Sequence, residues 1–417
     1  MTELATWAGT YQFTARRVIE ARSAADVCRA VAAGGRVRAL GTRHSFNDLA
    51  DNGATLVTVT GIPPEPVLDE AARTVTVGAG VTYGVLATWL QERGWALANM
   101  ASLPHISVAG AIATGTHGSG SRNQVLSAAV AALDYVAADG EVRHADRSEP
   151  DFAGMAVGLG AFGVVVRVTL DIEPTYQVRQ DVYAGPAWDR LLAGLTDVMS
   201  AGYSVSVFID WSGGPVQTWV KRRVARPSDT VPEELFGAGR YTGQVRLADA
   251  PADNLTPHGV PGPWSHRLPH FRIDSVPSNG NEIQSEYFVS AGHGAAALEA
   301  IRRLARQIAP LLLVCEIRAI AADRLWLSGA YDRETVAIHF TWRKLPEQVD
   351  AVLPALEEAL APYDARPHWG KVNHVPPSEV ARRYPRLADA RALFERLDPD
   401  GRFSGHRLER LGVREPR

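Results

Sequence analysis

The 417-residue chain has only two cysteines, Cys28 and Cys315, each inside an apolar run. That scarcity excludes a disulfide-stapled secreted scaffold, and both read as reduced core residues of a cytoplasmic protein. An excess of one charge is also missing. Against 43 Lys and Arg stand 46 Asp and Glu, for a formal net charge of −3 with the signs interspersed. Such a balance argues against nucleic acid or an anionic membrane as partner. No apolar run approaches membrane-spanning length. The opening MTELATWAG carries Glu3 and no apolar stretch, so no signal peptide is expected. Internal repeats and low-complexity tracts are absent. What remains is an ordinary globular composition, 46% hydrophobic and 21% charged, in a chain too long for one core. Two domains are the expectation.

Ser23 and Gly34-Gly35 punctuate a helix ending at Ala33, and the strand Val37–Leu40 follows, in the β-α-β rhythm of an α/β unit. Thr55–Val59 and Thr74–Val77 read as further strands, and apolar spacing predicts a helix over Tyr83–Arg93. Gly78-Ala79-Gly80 lacks the third glycine of a Rossmann fingerprint, so nicotinamide binding is not expected. Strands around Val125–Val136, a hairpin turn at Asp139-Gly140 and a helix after Pro150 come next. Gly158–Ile172 is a glycine-rich turn into a β-branched strand. Beyond Glu173-Pro174 the character changes. A helix over Trp188–Met199 precedes strands at Ser204–Asp210 and Gln217–Lys221, and Arg226–Asn281 is proline-rich without periodicity. Strands at Ile283–Val289, Leu311–Ile320 and Thr335–Trp342 alternate with helices at Ala295–Gln307 and Leu353–Leu360.

Two stretches stand out. Arg38–Asp48, RALGTRHSFND, is a buried strand breaking at Gly41 into a polar loop, and His44 sits within that loop. Exposed backbone N–H groups and small hydroxyls there can cradle a phosphate, though a solvated polar turn has the same look. Ala101–Gly120, ASLPHISVAGAIATGTHGSG, is dominated by small residues that let a large flat ligand approach the backbone. Ser107 is placed to cap a short helix over Val108–Thr114 and aim its N–H groups at a pyrophosphate; tight helix-to-sheet packing is the other reading.

Together these stretches resemble the FAD-binding domain of the vanillyl-alcohol oxidase superfamily, and more narrowly the sugar-alcohol (alditol) oxidases and their aldonolactone-oxidase relatives. The resemblance covers nearly the whole chain. It implies an α+β, two-domain FAD-binding fold of vanillyl-alcohol oxidase type with an antiparallel-sheet substrate domain. Residues 1–174 would bind FAD, 175–372 would hold substrate, and 373–417 would return to the FAD domain. It implies FAD attached covalently through His44, in a loop with Gly41, Thr42, Arg43 and Ser45. Ser102, Ser107, Gly110, Gly115, Thr116, His117 and Gly118 would supply the second set of cofactor contacts. Gly163 and Val164 would add a third, and Lys371 would reach the flavin from the substrate side.

In a strand alternate residues share a face, so Glu316 projects with Arg318, and His339 with Thr341 and Arg343. Such stripes face either solvent or a polar pocket. The apolar start of the first strand, and a mixture of both charge signs with histidine and threonine, lean toward the pocket. By resemblance, Ser102, Glu316, Arg318, His339, Thr341 and Lys371 surround the substrate. HWGK, residues His368–Lys371, resembles an aldonolactone-oxidase signature; His368 and His374 themselves read as structural or surface residues. His339, Arg318 and Lys371 are the catalytic candidates. His339 is the expected base, because an unperturbed imidazole titrates near neutrality, with Lys371 the open alternative. Glu316, Arg318 and Lys371 are expected to form one hydrogen-bonded set. The implied activity is oxidation of the C1 hydroxyl of alditols such as xylitol and sorbitol, with O2 reduced to H2O2. An aldonolactone oxidase or dehydrogenase of the same fold is the alternative, and a flavin- or sugar-binding protein without turnover is the reading from a different class. The expected partners are a small polyol and O2, with the chain a monomer and no metal site called for.

Overall fold

The computed structural model describes residues 4–225, 231–245, 247–275 and 280–417. Glu3, and the parts 226–230, 246 and 276–279 of the proline-rich stretch, lie outside the described residues.

Ser23 caps the first helix, Ala24–Ala32, by accepting the Asp26 amide. The chain returns as Val37–Leu40, which lies parallel to Thr55–Thr58; that strand pairs on its other side with Arg17–Glu20. A second, antiparallel sheet runs in the order Val67–Asp69, Thr74–Gly78, Val164–Asp171, Val130–Val136, Val142–Asp146. Its last hairpin turns at Asp139-Gly140, where Gly140 takes φ +87 and Asp139 accepts the Glu141 amide. Only glycine adopts that backbone without a Cβ penalty.

The third sheet has eight antiparallel strands, all beyond residue 176: Gly262–Pro263, Gln177–Ala184, Pro215–Val224, Ser204–Ile209, Leu312–Ile320, Thr335–Arg343, Glu282–Ser290, Arg366–Pro367. Period-two alternation divides its two faces. Tyr287, Ile317, Ile338, Phe340 and Trp342 point to one side and share a core with Leu298, Ile301, Leu353 and Leu356 of the helices Gly294–Arg302 and Pro346–Leu360. The opposite side carries Glu286, Glu316, Arg318, His339 and Thr341, all buried.

Element boundaries depart from expectation where local chemistry interrupts a pattern. The Trp188–Met199 helix is two short ones, Trp188–Ala193 and Leu195–Met199, parted at Gly194. The Ala295–Gln307 helix likewise breaks into Gly294–Arg302 and Ala305–Ile308. The helix expected from Leu353 begins at Pro346, because proline's fixed φ suits a first turn. Leu126–Ala129 is a helical turn, and the strand starts only at Val130.

The C-terminal segment packs back on the first sheet. Val37 N donates to Arg402 O at 2.7 Å, and the buried Arg38 guanidinium donates to the carbonyls of Leu49, Leu159, Gly160 and Phe403. One side chain thereby ties the first strand, the glycine-rich turn and the returning tail.

Candidate active site

A cavity of about 310 Å³ runs from the Gly41–Asn47 loop to the polar face of the eight-stranded sheet. At its first end the walls are backbone and small side chains. A Cβ at Gly41 or Gly110 would come within 2.6 or 2.7 Å of Ser107 Oγ, so these two glycines hold the space open. Ser107 Oγ and His44 Nδ1 are buried without hydrogen-bond partners. Unmet buried polar atoms beside a small-residue cradle fit a polar, flat cofactor such as FAD. His44 is fixed by its surroundings: Trp7 stacks on its ring at 4.9 Å, and the Trp7 amide donates to Arg43 O. Arg43 holds a left-handed φ of +65 and donates to Ala5 O. Burial, then the neighbouring His105 and Arg43, push the His44 pKa down to about 4, which leaves a neutral imidazole.

The Ser107 helix corrects the expectation. It runs only over Val108–Ala113 and Ser107 makes no side-chain cap. Its first amides are already spent: Ser107 N donates to Thr42 Oγ1, Val108 N to Val81 O and Ala109 N to Ala79 O. The side chain is left facing the cavity, where it can serve a ligand directly.

At the other end the sheet supplies charge. Glu286, Glu316, Arg318 and Lys371 meet there, two anions and two cations. Arg318 Nη2 donates to Glu286 Oε1 at 2.5 Å and Lys371 Nζ to Glu286 Oε2 at 2.7 Å. Arg318 Nε lies 3.7 Å from Glu316 Oε2, and Nη1 is 3.5 Å from Ser102 Oγ. Glu316 accepts from His270 Nε2 at 2.8 Å. Lys221 orients that histidine: its Nζ has three acceptors, His270 Nδ1 and the carbonyls of Leu268 and Pro269, one for each ammonium proton. A donor at Nδ1 places the ring's own proton on Nε2, toward Glu316. Burial opposes ionisation of all these carboxylates, but Lys371 and Arg318 hold Glu286, and Arg318 and His270 hold Glu316, well below the usual range.

His339 sits between Lys371 Nζ, 2.6 Å from its Nδ1, and Thr341 Oγ1, 3.1 Å from its Nε2. Burial first, then Lys371, push its pKa down to about 4. Burial also lowers Lys371, against the pull of Glu286. His117 Nδ1 meets Gly118 O at 2.8 Å and its Nε2 is 3.2 Å from Glu286 Oε1. Two acceptors favour the imidazolium there; burial, the larger influence, holds the pKa below the ordinary value.

Of the residues singled out in the sequence, Gly41, Thr42, Arg43, His44, Ser45, Ser102, Ser107, Gly110, Thr116, His117 and Gly163 line this cavity with Glu316, Arg318, His339, Thr341 and Lys371. Gly115, Gly118 and Val164 do not line it. Gly118 packs instead against Asn99 and Met100, and Val164 pairs with Val136 in the second sheet. Arg343 is exposed, so only His339 and Thr341 of that stripe turn inward. The Glu316–Arg318–Lys371 set is not closed as expected: Lys371 pairs with Glu286, not Glu316. His368 is buried in the cavity wall and accepts the Gly370 amide, while His374 is surface-exposed beside Asp350.

Glu286, His270 and Lys221 were missed. Glu286 lies in the alternating strand EIQSEYFVS, where Glu282, Gln284 and Glu286 share one face, so its signal was present. His270 lies in the aperiodic proline-rich stretch and had none.

The chain's likenesses agree with this geometry. Residues 15–146 match a family model described as FAD binding domain, and residues 279–411 one described as D-arabinono-1,4-lactone oxidase. The fold is similar to that of cholesterol oxidase from B. sterolicum, with TM-score 0.78 at 15% identity over 98% of this chain and 96% of that one. A solvent-stable cholesterol oxidase gives TM-score 0.75 at 17% identity, covering 98% and 97%. Fold and site define an FAD-dependent oxidoreductase with the two-domain vanillyl-alcohol oxidase architecture. An alditol oxidase of Streptomyces sp. (strain IKD472 / FERM P-14339) is 44% identical over 98% of this chain and 99% of its own length. An L-gulono-1,4-lactone dehydrogenase of Mycobacterium tuberculosis is 29% identical over 93% of both. The chain belongs to the alditol oxidase family.

Proposed function

We propose that this protein oxidises the terminal C1 hydroxyl of open-chain alditols such as xylitol and sorbitol to the aldose, with O2 as acceptor and H2O2 as product. The observation that carries this reading is the enclosed polar face on which the buried Glu286, Glu316 and Arg318 and the half-buried Lys371 balance to zero charge beside Ser102 and Thr341. A polyol presents a row of hydroxyls, each donor and acceptor. A neutral set of fixed anions and cations meets such a row, where an unpaired buried group costs about 1–3 kcal/mol.

Bound FAD would supply the two-electron acceptor for the carbinol carbon and would itself be reoxidised by O2. Gly41, Thr42, Ser107 and Gly110 would hold it, with His44 as the point of covalent attachment. The reading at His44 is supported by a neutral, half-buried ring whose enclosed Nδ1 has no hydrogen-bond partner. The chain's own work on the substrate is proton handling and orientation. Arg318 places positive charge where the alkoxide develops, and Lys371 adds its own as it takes up the relayed proton, while Ser102 and Thr341 meet the substrate's oxygens. With Lys371 charged, the ammonium donates to His339 Nδ1 and the ring proton lies on Nε2, so His339 has no free lone pair. With Lys371 neutral, His339 Nδ1–H donates to Nζ and Nε2 accepts the substrate hydroxyl proton. His339 and Lys371 therefore act as one base: Nε2 takes the proton and Nδ1 passes its own to Nζ.

The division into residues 1–174, 175–372 and 373–417 is part of the same reading, supported by the confinement of the eight-stranded sheet to the second span. The cytoplasm and a monomeric state belong to it too; Cys28 and Cys315 are both free thiols. Among the described residues no helix is long and apolar enough to cross a membrane. The competing lactone reading draws on the D-arabinono-1,4-lactone oxidase match over residues 279–411. One panel decides between them: alditols and aldonolactones assayed by both peroxide release and dye reduction. Higher kcat/KM for xylitol or sorbitol than for any lactone is expected. The reverse order selects the lactone oxidase, and dye reduction without peroxide selects a dehydrogenase.

A further inference from the structure

Of the carboxylates that line the site, Glu286 is more enclosed than Glu316. Its side chain is 1% exposed and it is the point on which the cations converge. From the Leu312–Ile320 strand Arg318 binds one oxygen, and from the segment after Arg366–Pro367 Lys371 binds the other. His117, from the small-residue stretch, approaches to 3.2 Å, and His339, on the adjacent Thr335–Arg343 strand, to 3.6 Å. The position is imposed by register: Glu286 is the direct cross-strand partner of His339, and His339 is the partner of Glu316. The cavity lining also carries Glu316, held by His270, and His368, whose Nδ1 is occupied by the Gly370 amide, and Glu282 four residues earlier on the same strand face. Glu286 is thus the carboxylate that Lys371 and Arg318 share.

We infer that Glu286 is a positioning residue that sets the proton state of the Lys371–His339 pair, and so the pH at which that pair becomes a base. Lys371 Nζ has the Glu286 carboxylate and His339 Nδ1 as partners, 2.7 and 2.6 Å away. The carboxylate rewards a charged amine, which then donates to Nδ1 and leaves the imidazole proton on Nε2. Removing that charge leaves Arg318 repelling Lys371 across the same space. The amine then releases its proton more readily, and the histidine changes tautomer to Nδ1–H. Electrostatics on the site agree in sign, since Glu286 is the principal group raising Lys371 while Arg318 lowers it. This inference rests on the paired-base reading above, but its first test needs no turnover.

The test uses flavin-loaded protein labelled with 15N-histidine, whose imidazole shifts distinguish the two tautomers. In the parent, His339 is expected as the Nε2–H form at neutral pH, moving to Nδ1–H as pH rises and Lys371 deprotonates. In Glu286→Gln that transition is expected to fall by about 1–3 pH units, the shift that loss of an adjacent opposite charge produces. The acidic limb of kcat/KM on xylitol is expected to move by the same amount. Glu286→Asp keeps the charge, so its tautomer transition should stay near the parent's even where shorter reach lowers kcat. A Glu286→Gln transition that does not move overturns the inference, as does one that Glu286→Asp moves equally, because geometry rather than charge would then be responsible. If Glu286→Gln loses its flavin, the Asp variant decides alone: a displaced transition overturns the inference and a retained one sustains it. Absence of polyol turnover in the parent would instead count against the proposed function, and leaves the tautomer result standing.

Discussion

His44 shows how one residue's chemistry is made by its neighbours. Free histidine is half charged near pH 6.5, and an imidazolium has no lone pair with which to attack. Here Trp7 covers one face, burial is the largest influence on its pKa, and Arg43 adds like charge. The folded ring is neutral throughout the physiological range with Nδ1 unclaimed. Acid denaturation of the parent is expected to leave yellow colour with the precipitated chain. His44→Ala is expected to release all its flavin to the supernatant. A colourless parent pellet would remove the covalent linkage from the proposal while leaving the FAD site intact.

At the level of elements, the site is a consequence of strand register. The strands Glu282–Ser290, Thr335–Arg343 and Leu312–Ile320 lie side by side, placing Glu286, His339 and Glu316 on one rung. A slip by one residue would send all three to the helix-covered face, so the apolar face enforces the polar one. The loop elements are held differently, by close contact. At Gly118 a Cβ would collide with Asn99 Oδ1 and Met100 O, both in the segment that leads to Ser102. Gly118→Ala should therefore lower stability by about 1–3 kcal/mol, the range for overpacking. It should also weaken FAD binding by displacing Ala101 and Ser102. Thermal unfolding and flavin retention on gel filtration check this; an unchanged melting temperature would mean that Asn99 swings clear at little cost.

For the whole molecule, enclosing the site has a price in acid stability. His44, His270 and His339 are each held at about 4, mainly by burial, against about 6.5 when unfolded. Between those values the unfolded chain binds protons that the folded chain refuses. Stability is therefore lost as pH falls from about 6.5 toward 4, and these groups contribute no slope above that window. Melting temperatures are expected to be flat near pH 7–8 and to drop steeply below pH 6. His270→Gln should reduce the slope, because it removes one of the three groups. A midpoint indifferent to pH across that interval would show that the three rings are not held neutral together.

Much of this was legible in the chain. Period-two alternation in Leu312–Ile320 and Thr335–Arg343 assigned Glu316, Arg318, His339 and Thr341 to common faces, because pleating forces alternate side chains to one side. Ser23 and Tyr83 marked where two helices begin, since capping and apolar spacing act locally. Small residues around Gly110 and the loop holding His44 marked where backbone lines the cavity. Helix lengths were read less well, because Gly194 and Pro346 act over single turns that periodicity averages away. That the polar face of the sheet is buried as well as the apolar one, and which anion Lys371 would choose, depended on contacts between distant segments. Lys371 and Glu286 are 85 positions apart, and His270 reaches Glu316 across 46 from a stretch without pattern. Local sequence determined the strands, the cradle and the sharing of faces, since those follow from neighbouring backbone geometry. Tertiary packing alone decided the charge partners and protonation states, since burial and pairing are properties of segments brought together.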